Sequence, residues 1–153
     1  MSALELKIPP PVVALLCIGL MALIAHWSPD VDLPLRWRLI AAIPLAIIGV
    51  ATSMSGARLF RHAATTVNPM KPENTSSLVD TGIYRYTRNP MYLGILLVLC
   101  AWLIFLASPW AASGVIGFQR YITRYQILPE EKILAGLFGS SYADYLSKVR
   151  RWL

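Results

Sequence analysis

Three stretches without a single Asp, Glu, Lys or Arg constrain this chain more than anything else in it: Ile8–Trp27 (20 residues), Leu39–Ala57 (19 residues) and Asn89–Gln119 (31 residues). A helix needs about 20 predominantly apolar residues to cross the hydrocarbon core of a bilayer, so the first two runs each match one crossing. The third is too long for one ordinary crossing and is cut by Ser108-Pro109, a turn signal. It reads as a helix over 90–107, a minimal turn, and a further helix over 110–128. A composition 56% hydrophobic and only 14% charged agrees with a bilayer as solvent. The expected fold is all-α, a single membrane domain over 1–153 built as an integral membrane four-helix bundle. Its spans lie at about 8–27, 39–57, 90–107 and 110–128, the last two forming a C-terminal helical hairpin. A cytoplasmic loop over 58–89 and an amphipathic cytoplasmic tail over 129–153 complete it. A cleavable leader is disfavoured, because the first apolar stretch exceeds the usual signal core and no small-residue cleavage site flanked by soluble sequence follows. Cys17 and Cys100 fall inside spans, where they form neither a metal-ligand cluster nor a disulfide framework.

Lys and Arg near the ends of spans set orientation. The stretch between spans two and three carries Arg58, Arg61, Lys71, Arg85 and Arg88, and the tail carries Lys132, Lys148, Arg150 and Arg151. On the other side, Arg36 and Arg38 are offset by Asp30 and Asp32, and the Ser108-Pro109 turn is uncharged. Both termini are therefore expected in the cytoplasm, with the protein in a bacterial inner membrane. The net charge of +6 needs no nucleic acid to explain it. Topology and attraction to anionic membrane lipids suffice.

The loop over 58–89 lacks sustained periodicity and contains Asn68-Pro69, Pro72, Asn74-Thr75-Ser76-Ser77 and Asp80-Thr81-Gly82, so it reads as an ordered or lid-like connection. Asn89-Pro90 joins a good N-cap to the residue best tolerated in a first turn, which starts the third helix there. Beyond Pro129, Ile133, Leu134, Leu137 and Phe138 share a helical face up to a break at Gly139. A last short helix then carries Tyr142, Tyr145, Leu146 and Val149.

Helix four poses a physical problem. At 1.5 Å per residue Arg120 lies about 15 Å from the outer end at Trp110, and Arg124 about 21 Å. An arginine near the middle of a bilayer costs at least a few kcal/mol unless it meets protein, water or an anion, whereas Arg124 can snorkel to the interface. Arg120 is therefore a candidate catalytic residue. The acidic pair Glu130-Glu131 follows just past the membrane exit, and the start of helix three, with Arg85 and Arg88 before it, faces the same depth. Cationic and anionic groups side by side suit a zwitterionic amino-acid moiety, its carboxylate met by Arg or helix N–H groups and its ammonium by Glu. S-adenosylmethionine carries both groups, plus a sulfonium that the faces of Tyr92, Tyr121 or Tyr125 can stabilise.

The segment Thr81-Gly82-Ile83-Tyr84-Arg85-Tyr86-Thr87-Arg88-Asn89-Pro90-Met91-Tyr92-Leu93-Gly94 is followed, after the hydrophobic hairpin, by Pro129-Glu130-Glu131-Lys132-Ile133-Leu134 and Phe138-Gly139-Ser140-Ser141-Tyr142-Ala143-Asp144-Tyr145. In order and spacing this resembles the isoprenylcysteine carboxyl methyltransferase and phospholipid methyltransferase superfamily. The similarity extends over about Phe60 to Leu153, including Thr65–Pro69 and the closing Val149–Leu153. In that family an Arg-His-Pro-x-Tyr-x-Gly motif and a Glu-Glu-x-x-Leu motif help enclose S-adenosylmethionine, while a lipophilic acceptor arrives from the membrane. The resemblance implies cofactor-binding roles for Arg88, Asn89, Pro90, Tyr92 and Gly94 and for Glu130, Glu131 and Leu134, joined by Arg85 from the charge reading. Asn89 stands where many members have His. An amide does not titrate near neutrality, so no general base is assigned there. His26 is expected at the opposite membrane face, and His62 has only its nearness to the loop in its favour.

The implied activity is methyl transfer from S-adenosylmethionine to a lipophilic acceptor: the carboxylate of a prenylated-cysteine-like substrate, a lipid amine or a thiol. A carboxylate or thiolate acceptor needs no base, whereas an amine must be neutral, and Glu131 or Glu130 is the candidate to take its proton. The competing class is a non-enzymatic four-helix transporter or assembly subunit. Small exporters couple transport through ionisable residues within spans, and spans one to three contain no Asp, Glu, Lys or Arg.

Overall fold

The computed structural model describes residues 5–29, 31–63 and 70–153. Met1, Asp30 and the Thr65–Pro69 segment of the resemblance lie outside the described residues. All regular structure among the described residues is helical: α1 (Pro10–Trp27), α2 (Leu35–His62), α3 (Pro90–Leu106), α4 (Ala112–Ile122) and α5 (Leu128–Lys148). Single 3-10 turns occur at Pro72–Asn74, Gly82–Arg85 and Pro109–Ala111.

Two helices, α1 and α2, are long and apolar enough to cross a membrane. Their surfaces discriminate between a membrane and a soluble core. Leu15 is 67% exposed, Leu16 66%, Ile47 63% and Ile40 60%, so these helices present to their surroundings the side chains that a core helix would bury. The outward solvent is apolar. α1 is also built into the fold: Met21 is fully buried against Gly114, and the Trp102 indole N–H donates to the Ile18 carbonyl at 3.2 Å. α2 exceeds its expected span of 39–57 at both ends. Residues 58–62 contain neither Gly nor Pro, so nothing stops the helix where its apolar run stops.

α2 and α3 pack antiparallel at close range. A Cβ at Gly94 would collide with the Gly49 carbonyl oxygen and with Ser53, and one at Gly56 would press on Pro90 and Met91. Between these points the Ser53 hydroxyl donates to the Met91 carbonyl at 2.7 Å. α3 ends on Ala107 in the left-handed region (φ 52), whose N–H bonds back to Leu103 and Ile104. The hydroxyls of Ser28 and Ser108 lie 2.9 Å apart, and the Val31 N–H donates to the Ala107 carbonyl at 2.7 Å. The C-terminal ends of α1 and α3 thus share one end of the molecule.

The helix expected over 110–128 departs from expectation. α4 continues through a π turn at Thr123–Ile127 straight into α5, so no separate tail starts at Pro129. A proline lacks the N–H that would bond four residues back, and its ring crowds that carbonyl. Here the wider π turn relieves the crowding, and the Tyr125 carbonyl so released accepts the Leu6 N–H at 3.0 Å. Leu6 takes a positive φ of 57 where it makes this bond. α5 does break where the sequence breaks: Gly139 has φ 51 and ψ −124, and the bend turns Tyr142 and Tyr145 back towards the start of α3.

Candidate active site

Opposite the end where Ser28 meets Ser108, the start of α3, the first turns of α5, the segment from Pro72 to Val79 and the bent end of α5 enclose a cavity of about 80 Å³. Its wall includes Arg88, Asn89, Tyr92, Glu130, Glu131 and Leu134, six of the residues singled out in the sequence, together with Tyr84, Tyr142 and Tyr145.

Glu130 and Glu131 are consecutive on α5 and so point about 100° apart, which separates their partners. Glu130 turns into the cavity wall, where the Tyr92 hydroxyl donates to it, 3.1 Å from each carboxylate oxygen. Burial raises its pKa to about 8, against the opposing effect of hydrogen bonds from Tyr92 and Gln126; the neighbouring Glu131 raises it further. No cation among the described residues pairs with Glu130.

Glu131 is fully engaged. The Arg151 Nε and Nη2 donate to its two oxygens at 3.0 and 2.7 Å, and Arg88 Nη1 lies 3.2 Å from Oε1. This fork holds Arg151 in its charged form, raising its pKa. Among the described residues Arg88 is held by its terminal nitrogen, and its Nε is buried with no hydrogen-bond partner among them. The Tyr84 hydroxyl is likewise buried and unpartnered. Burial also pushes the phenols of Tyr84, Tyr142 and Tyr145 well above their usual value, so they remain neutral.

The C-terminal residues close the site, in keeping with the place of Val149–Leu153 in the resemblance. The Arg88 N–H donates to the Arg150 carbonyl and the Asn89 amide to the Arg151 carbonyl, both at 3.0 Å, and the Trp152 indole N–H donates to Thr123 at 3.2 Å. Asn89 does precede α3, but its side chain serves this tether rather than the cap, so no side chain caps the first turn of α3. Tyr145 adds a bond from its hydroxyl to the Tyr84 carbonyl at 2.8 Å. The turn that presents Tyr84 depends on Gly82, whose φ of +58 strains any residue with a side chain.

Other sequence candidates lie elsewhere. Arg120 lines a separate surface groove with Arg124 and Arg151. Arg85 lies in a shallow polar depression beside Asp80 and Asp144. Gly94 and Pro90 sit in the α2–α3 contact, where they set the position of Tyr92 without lining the cavity.

The phospholipid methyltransferase family model matches residues 37–141, more than half of the chain. The chain belongs to the phospholipid methyltransferase family. Within the matched range fall Arg88, Asn89, Tyr92, Glu130, Glu131 and Leu134, whereas Tyr142, Tyr145 and Arg151 lie beyond it. Among curated proteins, the protein-S-isoprenylcysteine O-methyltransferase of Saccharomyces cerevisiae is 29% identical over 105 residues, 69% of this chain and 44% of that protein. The match therefore spans less than half of the yeast enzyme. An uncharacterized protein of Haemophilus influenzae is 48% identical over 63 residues, 41% of this chain and 100% of its own length. This is a methyltransferase family of membranes, in keeping with the two membrane-length helices.

Proposed function

We propose that the cavity binds the amino-acid end of S-adenosylmethionine and that the protein transfers the donor's methyl group to a lipophilic acceptor arriving from the membrane. The observation that carries this reading is Glu130: an enclosed carboxyl group with a pKa near 8 and no cationic partner among the described residues, lining the same small cavity as an arginine whose Nε has no hydrogen-bond partner among them. An ammonium beside Glu130 would offset the effect of burial by stabilising its ionised form, and a carboxylate at Arg88 Nε and the uncapped N–H groups of α3 would satisfy both. Small-molecule sites enclose roughly 300 Å³ or more, so the cavity of about 80 Å³ suits one end of such a ligand, the rest extending past Pro72–Val79.

The donor supplies an already activated methyl group. The chain's task is to align and to exclude water. Tyr84, Tyr142 and Tyr145, neutral and largely enclosed, wall the cavity and offer ring faces to a sulfonium. Tyr92 fixes the direction of the Glu130 carboxylate. Glu131, with both oxygens bonded to Arg151, orients Arg88 and is poorly suited to accept a proton. We assign no general base, which suits a carboxylate or thiolate acceptor; a lipid amine would have to arrive neutral.

In the membrane we propose four crossings in one domain, with α3 and the α4–π-turn segment as the third and fourth and both termini in the cytoplasm. The pairing of Ser28 with Ser108 at the charge-poor end and the clustering of Arg58, Arg61, Arg85 and Arg88 towards the cavity end support this placement. The test is calorimetry of S-adenosylhomocysteine, the demethylated donor, on the detergent-purified chain. Saturable binding that is lost in Arg88→Ala is expected; no saturable binding by the unaltered chain would remove the proposal.

A further inference from the structure

On the outer side of the Glu131–Arg151 pair lies a second concave surface, formed by α4, the π turn and the C-terminal residues. Arg120, Arg124 and Arg151 line it together with Gln119, Leu128 and Trp152. Their electrostatic states differ. Arg151 is neutralised by its two bonds to Glu131. Arg124 has Glu5 at 4.0 Å, the limit of an ion pair, and remains largely exposed. Arg120 is exposed, with no hydrogen-bond or ion-pair partner among the described residues. The groove therefore carries an excess of positive charge over a partly apolar floor of Leu128 and the Trp152 indole, which Thr123 holds in place.

We propose that this groove binds the phosphate of an anionic phospholipid from the surrounding bilayer, as a site separate from the donor cavity. The inference rests on the membrane placement proposed above. α4 starts at Ala112, beside the Ser108 end, so Arg120 lies about 12 Å down the helix and Arg124 about one turn further. A guanidinium at that depth is costly unless an anion or water meets it. Lipid phosphates stay in the headgroup layer, and both guanidinium stems are long enough to reach up towards the cytoplasmic one, where a phosphodiester on an amphiphilic body meets them. A zwitterionic headgroup would set its own ammonium against Arg120 and Arg124, so the unbalanced charge selects a net-anionic diester. One turn towards the outer end, Ile116 is 50% exposed and Gly117 has open space beside it, which leaves a shallow apolar strip for an acyl chain.

Native mass spectrometry of the detergent-purified full chain, titrated with phosphatidylglycerol and with phosphatidylcholine of identical acyl chains, tests this. Preferential phosphatidylglycerol binding is expected, with the affinity cut about tenfold in Arg120→Gln/Arg124→Gln and several-fold in Arg120→Gln alone. Arg58→Gln/Arg61→Gln, which removes equal charge from the end of α2 outside the groove, should keep the preference. Equal binding of the two lipids by the unaltered chain, retention of the preference in the groove variants, or an equal loss in the α2 variant would overturn the proposal. So would full displacement of phosphatidylglycerol by millimolar inorganic phosphate, which would make the groove a site for soluble anions. S-adenosylhomocysteine binding, measured on the same unaltered preparation, reads the donor cavity separately: its absence alongside a groove-dependent lipid preference would sink the donor reading and leave this one standing.

Discussion

If Glu130 is the counter-ion of the donor's ammonium, donor affinity must depend on the ionisation of one buried carboxylate. In the free protein its pKa is raised to about 8, with burial the main cause. At pH 6 only roughly one molecule in a hundred then holds it ionised, against about half at pH 8, so S-adenosylhomocysteine should bind about 50-fold more weakly at pH 6 than at pH 8, with the larger share of that fold-change between pH 6 and 7. At pH 7 binding should release about 0.9 proton, because the ammonium displaces the proton that the carboxylate carried. Calorimetry in buffers of different ionisation enthalpy measures that number directly. Glu130→Gln should abolish both the proton release and the slope. The stability of the free protein runs the opposite way. A carboxyl whose folded pKa lies above its unfolded value of 4.5 contributes stability below pH 4.5 and loses it progressively as pH rises through about 8. The free protein should therefore lose thermal stability between pH 5 and 8, and bound product should offset that loss. A pH-independent affinity with no proton release would refute the reasoning, since an unperturbed or already paired carboxylate behaves in that way.

Gly94→Ala should destabilise the detergent-solubilised protein by about 1–3 kcal/mol, because its Cβ meets the backbone of Gly49, which cannot swing aside; a melting curve coincident with the parent's would contradict the α2–α3 register. Arg151→Ala should lower stability by about 1 kcal/mol, the modest figure reflecting its partial exposure, and weaken product binding by freeing Glu131 to draw Arg88 away; unchanged binding would mean that the tail plays no part in positioning Arg88. Reporter fusions at Met1 and Leu153 should both read as cytoplasmic, and an external signal from either end would invert the proposed placement of the cavity.

Much of this arrangement is local and therefore legible in the chain. Pro90 starts α3 as its fixed φ and missing N–H suggest, and Gly139 breaks α5 because it takes a positive φ. Arg88, Tyr92, Glu130 and Leu134 meet at one cavity, in keeping with their motif spacing. The failures come from contacts between residues distant in sequence. Glu130 and Glu131 read as one acidic pair, yet their different directions on α5 give the first a tyrosine and the second two arginines. Nothing near Glu131 in sequence announces Arg151, 20 residues away. Asn89 has the composition of a cap, but the Arg151 carbonyl claims its amide. The distance of Arg120 along its helix follows from helix rise, whereas its direction does not: the π turn shifts the helical register between α4 and α5, so residues before and after it do not share the face that simple periodicity assigns.

Transfer of a labelled methyl group tests the central claim most directly. The purified chain, incubated with methyl-labelled S-adenosylmethionine and a total membrane-lipid extract, should place label in an organic-extractable product. Glu130→Gln and Arg88→Ala should each reduce incorporation at least tenfold while inserting into membranes normally. Label confined to the aqueous phase, or equal incorporation by both variants and the unaltered chain, would contradict methyl transfer from this cavity.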